Sequence, residues 1–258
     1  MNNNIYIANL KMNGNIQLID KYINIFKGYN WNNLIIICPP FTLLDYSSHK
    51  INSNQSILSL GAQNIHHETE GAFTGEISAN LIKPYSEFSI IGHSERRLNG
   101  ESNEIIAKKI ITCYKNNIKP ILCVGEHNYS DNIDETFKII ELQLKLLKNI
   151  ILDSQLSILI AYEPVWAIGN NNACEPDRAG EIANFIKSFT TNNTNINEIN
   201  ILYGGSVDDK NHEDYLKQKN INGLLVGSAS LDPSKFYKIV TNNRWFYSDF
   251  HSWSNRGW

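Results

Sequence analysis

The sequence predicts one closed (β/α)8 barrel, eight parallel strands inside an outer ring of helices, and three observations carry that reading. Eight short apolar runs alternate with amphipathic stretches along the chain, the order expected of parallel strands joined by helical crossovers. Several runs are almost unbroken Ile, Leu and Val, as strands covered on both faces require. The chain has 258 residues, close to the ~250 typical of one such barrel, and no Pro/Gly/Ser linker, low-complexity block or shift in charge divides it. A doubly wound sheet is the alternative, but no GxGxxG turn follows the first run.

In chain order the expected strands are Ile5–Ala8, Leu34–Cys38, Ile57–Gly61, Phe88–Ile91, Pro120–Val124, Ile158–Tyr162, Ile199–Tyr203 and Gly223–Val226. Between them, Phe137, Ile140, Leu144, Leu147 and Ile151 fall on one helical face, as do Ile182, Phe185, Ile186 and Phe189. In such a barrel the chemistry sits where the strands end, so the residues after each run matter most. Asn9 and Lys11 follow the first, Cys38 and two prolines the second, and Gln63 and Asn64 the third. His93, Ser94 and Glu95 follow the fourth, Gly125 and Glu126 the fifth, and Glu163 the sixth. Gly204, Gly205 and Ser206 follow the seventh; Gly227 and Ser228 follow the eighth. A carboxylate, an imidazole, an ammonium and several Gly/Ser turns are thus directed to one mouth.

The sixth run is the centre of the arrangement. It stops at Glu163, Pro164 ends the strand, and bulky Val165, Trp166 and Ile168 precede a glycine and three asparagines. A lone acid at the end of a buried strand, beside a segment able to fold over it, is one way to place a general base. Taken alone, Glu163 fits an N-capping residue on a surface loop as well. Lys11 alone fits a solvated lysine, and His93 a helix-start histidine with a satisfied ring. The glycine turns after the last two strands leave backbone N–H groups uncovered at helix starts, which suits a phosphate.

Composition narrows the partners. A net charge of −3 with acids and bases intermixed points to neither a nucleic acid nor a membrane surface. No apolar run approaches the ~20 residues of a membrane span. The opening MNNNIYIANL has neither a basic leader nor a long apolar stretch, and Cys38, Cys113, Cys123 and Cys174 form no CxxC pair or metal-ligand spacing. The expectation is a cytoplasmic protein with reduced thiols.

The blocks ANLKMNG, AQNIHHETEGAFTGEIS, IIGHSERR, PILCVGE, AYEPVWAIG, YGGSV and LLVGSASLDP occur in the order found in the triosephosphate isomerase family, which the chain resembles to about Asn242. The resemblance implies interconversion of dihydroxyacetone phosphate and D-glyceraldehyde 3-phosphate through an enediolate, a step of glycolysis and gluconeogenesis that uses no metal or cofactor. It implies Glu163 as the base, His93 as a neutral imidazole at the two substrate oxygens, and Lys11 as the stabilising cation. Asn9 is a polar donor, Glu95 orients Lys11, and Ser94 holds the base. The amides of Gly169, Ser206, Gly227 and Ser228 take the phosphate. Segment 164–174 becomes a lid that packs Ile168 over Glu163, with Leu225 opposite, Tyr203 and Ser206 as latches, and Trp166 and Glu126 reorganising with it. Gly71–Glu76 becomes an interface loop that carries Phe73 and Thr74 into a second subunit, so a homodimer is implied; as residues alone, a polar Gly-bounded loop fits solvent equally.

Four departures from the family pattern stand out. Asn170–Asn172 replace the usual lid sequence, Ser228 replaces the second glycine of a pair, and Leu10 stands where tryptophan is common. One residue is missing between GHSERR and Gly100–Glu101, which leaves the local helix start open. Residues 1–243 are therefore assigned to the barrel and 244–258 to an aromatic-rich extension, which holds three of the five tryptophans and whose role stays open between a loose tail and an aromatic clamp. A phosphate-binding protein without turnover, or a different phosphosugar enzyme on the same barrel, are the competing functions.

Overall fold

The computed structural model describes residues 3–29, 32–150, 156–168 and 173–241. Eight parallel strands close on themselves in sequence order: β1 (Ile5–Asn9), β2 (Leu34–Cys38), β3 (Ser59–Ala62), β4 (Phe88–Ile91), β5 (Lys119–Val124), β6 (Leu156–Tyr162), β7 (Ile196–Tyr203) and β8 (Gly223–Val226). The seam between β1 and β8 is paired like the others, Ile5 opposite Gly223 and Ala8 opposite Val226, so no edge is left open. The helices are α1 (Ile16–Ile25), α2 (Leu44–Ser53), α3 (Ala79–Ile82), α4 (Ser94–Leu98), α5 (Asn103–Lys115), α6 (Ile133–Leu144), α7 (Pro176–Asn193), α8 (His212–Leu216) and α9 (Pro233–Thr241). None of the described helices is long and apolar enough to cross a membrane.

Period-two alternation sorts each strand between two apolar cores. Ile5, Ile7, Ile36, Cys38, Phe88, Ile90, Ile121, Cys123, Leu159, Ala161, Leu202 and Leu225 fill the inside of the barrel. Their neighbours Tyr6, Ala8, Ile35, Ile37, Leu122, Ile158, Ile160 and Ile201 face the helices. Burying a side chain of this size contributes ~1.5–3 kcal/mol, which explains why both faces read as apolar. The inward series continue past the apolar layers: 5 and 7 lead to Asn9, 159 and 161 to Glu163, 225 to Gly227. The polar site is the last layer of the barrel filling.

Several helix starts follow from their caps. Asn15 accepts from the Leu18 amide at 2.9 Å and Ser102 from Ile105, while Pro176 sits at the first turn of α7, where its missing N–H costs nothing. After GHSERR the chain turns at Gly100, which takes φ +92°, and α5 starts at Asn103 behind its Ser102 cap.

The expected strand Ile57–Gly61 is displaced. Pairing begins at Ser59, and Ile57 is exposed, because Ser56 bonds back to Ile51 and Leu58 bonds to the Ser56 hydroxyl, which uses this backbone in a turn after α2. β6 and β7 begin earlier than expected, Leu156 pairing with Ile196 and, after a register irregularity at Leu156/Ser157, Ser157 with Glu198. The face carrying Phe137, Ile140 and Leu144 is helical in α6, whereas Leu147 falls in a following 3-10 turn, Lys145–Asn149. Ile151 and the 244–258 extension lie outside the described residues.

Candidate active site

Where the strands end, a cavity of about 180 Å3 opens, lined by Asn9, Lys11, His93, Glu163, Ile168, Ser206, Leu225, Gly227 and Ser228, together with Leu10, Asn13, Gly204, Gly205, Val207 and Leu231. It lies below the ~300–1,000 Å3 of sites for drug-sized ligands and suits a small metabolite.

Glu163 is almost fully buried, at 2 % exposure. Its amide bonds to the Val124 carbonyl at 2.7 Å, and this close approach of β5 and β6 depends on Gly125, where an added Cβ would stand 1.8 Å from the Glu163 carbonyl oxygen. One carboxylate oxygen, Oε2, accepts from the Ser94 amide at 2.9 Å. The other, Oε1, faces His93 Nε2 at 3.2 Å and has no better-formed partner. Ser94 thus holds the carboxylate through its backbone, not through its hydroxyl.

His93 precedes α4, and its Nδ1 accepts from the Glu95 amide at 3.2 Å. A ring nitrogen that accepts carries no proton, so the imidazole is neutral with its N–H on Nε2, toward Glu163 and the cavity. The helix that presents it is fixed from behind. Arg97 donates to Gly92 O (2.8 Å), Asn103 Oδ1 (2.8 Å) and Cys123 O (3.0 Å). Glu101 takes Arg96 at 2.8 Å and also pairs with Lys109, which reaches Asn64. Removing one partner from a buried cluster of this kind typically costs ~3–5 kcal/mol.

Lys11 takes a left-handed backbone, φ +50°, a conformation that costs a non-glycine residue ~1–3 kcal/mol unless its surroundings impose it. They do: the Asn9 side chain accepts the Lys11 amide at 3.0 Å, and the Gln63 amide donates to the Lys11 carbonyl (2.7 Å) and to the Cys38 carbonyl (2.8 Å). Lys11 Nζ meets Glu95 Oε1 at 2.7 Å. Partial burial pushes the Glu95 carboxyl up, but the Lys11 hydrogen bond and charge outweigh it and the net shift is downward.

The opposite wall is backbone: Gly204–Gly205–Ser206 after β7 and Gly227–Ser228 after β8. The Ser206 hydroxyl donates to the Ala167 carbonyl at 2.6 Å. Glu126 is fully buried; its Oε1 accepts Trp166 Nε1 at 2.8 Å and the Tyr162 hydroxyl at 2.9 Å, and burial raises its carboxyl above the ordinary range against those bonds. Trp166 in turn packs edge-on against Tyr129. Tyr203 is buried behind the wall and does not line the cavity. Phe73 and Thr74 are exposed on the loop after β3, away from the cavity. Gly169 and Asn170–Asn172 lie outside the described residues, and among the described residues no cluster has the make-up of a metal site.

Gln63, placed after the third run but given no role, and Arg97 are the residues whose part the sequence reading missed. Each acts through carbonyl groups; for Gln63 the one hint was a polar side chain after an apolar run, and Arg97 carried none.

The family model for triosephosphate isomerase matches residues 4–243. A triosephosphate isomerase of Aquifex aeolicus is 46% identical over 240 residues, covering 90% of this chain and 96% of the relative. One of Buchnera aphidicola subsp. Schizaphis graminum is 40% identical over 249 residues, 93% and 97% of the two chains. One of Natranaerobius thermophilus is 39% identical over 219 residues, 83% and 84%. With a closed eight-stranded barrel, a buried carboxylate facing a neutral imidazole, and likeness over nearly its whole length, the chain belongs to the triosephosphate isomerase family.

Proposed function

We propose that Glu163, His93 and Lys11 carry out the proton transfers that interconvert dihydroxyacetone phosphate and D-glyceraldehyde 3-phosphate. The observation that carries this reading is the buried Glu163 carboxylate, 3.2 Å from His93 Nε2, in a cavity that also holds a lysine. Glu163 takes a proton from C1 of the ketose, and the electron pair moves toward the C2 oxygen. His93 Nε2–H donates to that oxygen, then receives a proton from the C1 hydroxyl, and Glu163 returns its own proton to C2. The hydrogen moves within one molecule, so the chemistry calls for no cofactor and no metal.

Removing a proton from carbon leaves negative charge on oxygen, and one oriented donor contributes ~3–4 kcal/mol to its stabilisation. Enzymes commonly supply ~8–23 kcal/mol, so the Lys11 cation, held by Glu95, and the exclusion of water by Ile168 and Leu225 have to make up much of the rest. The bond from the Ser94 amide occupies Glu163 until substrate arrives. Asn9 supplies a donor to substrate oxygen, and amides of Ser206, Gly227 and Ser228, with Gly169, take the phosphate. Tyr203 and Ser206 act on the lid with Trp166 and Glu126.

The reading extends to a cytoplasmic homodimer. Met12, Phe73, Leu81 and Leu98 are exposed apolar side chains from segments that follow β1, β3 and β4, which suits a second copy seated on that side with Thr74 near the partner's mouth; sedimentation of Thr74→Arg as a monomer beside a dimeric native chain is the expected result.

Steady-state turnover of glyceraldehyde 3-phosphate tests the chemistry. The native chain is expected to turn over, and Glu163→Gln to lose ~10²–10⁴-fold in kcat. Binding of phosphoglycolate without turnover by the native chain would replace the reading with a phosphate-binding protein, and full activity in Glu163→Asp would indicate a different phosphosugar reaction.

A further inference from the structure

Behind the backbone wall stands a pair of tyrosines that the proton-transfer chemistry does not use. Tyr203 ends β7 and Tyr215 stands on α8; both are fully buried, and their rings stack with centroids 3.8 Å apart and planes 13° from parallel. The Tyr203 hydroxyl lies directly under the glycine turn: a Cβ added to Gly205 would stand 2.2 Å from it. Gly205 can be no other residue while that ring stays where it is, and the turn cannot sink while the ring supports it.

The Tyr203 hydroxyl has close polar neighbours in the Tyr215 hydroxyl and the Cys174 backbone, neither of them in a regular hydrogen bond. Its ring is located chiefly by packing, a looser tilted contact with Tyr162 at 6.3 Å and the close stack on Tyr215. Tyr215 is tied at its far end, where its hydroxyl donates to the Cys174 carbonyl at 2.7 Å, just before α7. Burial keeps both phenols protonated, so Tyr215 stays a donor at neutral pH.

We infer that Tyr215 is a positioning residue for the phosphate half of the site, bracing Tyr203 and through it the Gly204–Gly205–Ser206 turn against the Cys174 carbonyl. The inference rests on the reading of that turn as the seat of the substrate's phosphate. A shift of the ring moves Gly205 and its neighbouring amides together, whereas Glu163, His93 and Lys11 are held by other contacts. The loss should appear in recognition of the phosphate and not in proton transfer.

Two substrates and one inhibitor separate these effects: glyceraldehyde 3-phosphate, unphosphorylated D-glyceraldehyde, and phosphoglycolate followed by calorimetry. Tyr215→Leu is expected to raise KM for the phosphorylated substrate and weaken phosphoglycolate by about tenfold, a misplaced turn being able to cost more, with kcat/KM for D-glyceraldehyde held within about twofold. Tyr215→Phe keeps the stack and loses the bond to Cys174, so about a threefold weakening is expected; it carries the test if the leucine variant does not fold. An equal fall on both substrates, or unchanged phosphoglycolate affinity in a folded variant, overturns the inference. Calorimetry needs no turnover, so a native chain that binds phosphoglycolate but does not isomerise would sink the isomerase reading alone.

Discussion

The two walls of the cavity are built on opposite terms. On one side, Lys11, His93 and Glu163 project side chains whose positions are set by hydrogen bonds: Glu163 from the Ser94 amide, His93 from the Glu95 amide, Lys11 from Glu95 and, through its backbone, from Asn9 and Gln63. On the other, Gly204–Gly205–Ser206 and Gly227–Ser228 present mainly backbone. Reaction needs particular functional groups within a fraction of an ångström, and phosphate needs only N–H groups arranged around it. Changes of functional group should therefore be severe on the first wall and, at Ser228, mild on the second.

Lys11→Met is the strongest challenge to that contrast. It keeps the length of the side chain and removes the charge, so loss of activity by more than about 10²-fold is expected from the removal of one stabilising group. Circular dichroism should show the fold unchanged, because the backbone bonds to Asn9 and Gln63 do not involve the ammonium. Near-normal turnover would mean that the cation is not part of the chemistry and that the wall is defined by Glu163 and His93 alone.

Gln63→Leu asks whether the first wall also depends on residues that never reach the cavity. Its amide donates to the carbonyls of Lys11 and Cys38; the Cys38 carbonyl keeps the Leu10 amide, so the partly buried Lys11 carbonyl is the one that loses its partner, at ~1–3 kcal/mol. The left-handed Lys11 backbone would then rest on Asn9 alone. A fall in kcat of about tenfold is expected with a lowered melting temperature, since the displaced group acts in the transition state. A lowered melting temperature with unchanged kcat would show that Asn9 suffices to hold the lysine.

The same contrast explains what was legible in the amino-acid order. Glu163 and Asn9 continue the inward alternation of β6 and β1, so residue type and period together pointed at the mouth of the barrel. The eight strands were visible because unbroken Ile/Leu runs are needed when both faces are covered. The start of β3 was not, because Ile57 looks like a strand residue and only the turn bonds of Ser56 and Leu58 exclude it. Gln63, Arg97 and Tyr215 act on carbonyls and ring faces contributed by distant segments, and no local pattern records such a contact. Ser94 was named through the resemblance as the residue that holds the base, and the bond comes from its amide, which any residue but proline would supply.

Ser228→Gly is the mildest test and bears directly on the second wall. Ser228 is exposed at the rim and lines the cavity, and the role assigned to it belongs to its amide, which glycine retains. Glycine frees the backbone, and an unordered residue of this kind costs ~0.5–1 kcal/mol, which opposes any relief gained by removing the side chain from the phosphate seat. KM for glyceraldehyde 3-phosphate should accordingly move by no more than about threefold, with kcat unchanged, a range set by that entropic cost. A rise beyond tenfold would make the hydroxyl a phosphate ligand in its own right, and a comparable fall would make it an obstruction. In either case the second wall would discriminate through a side chain, and the division between a wall of groups and a wall of backbone would no longer hold.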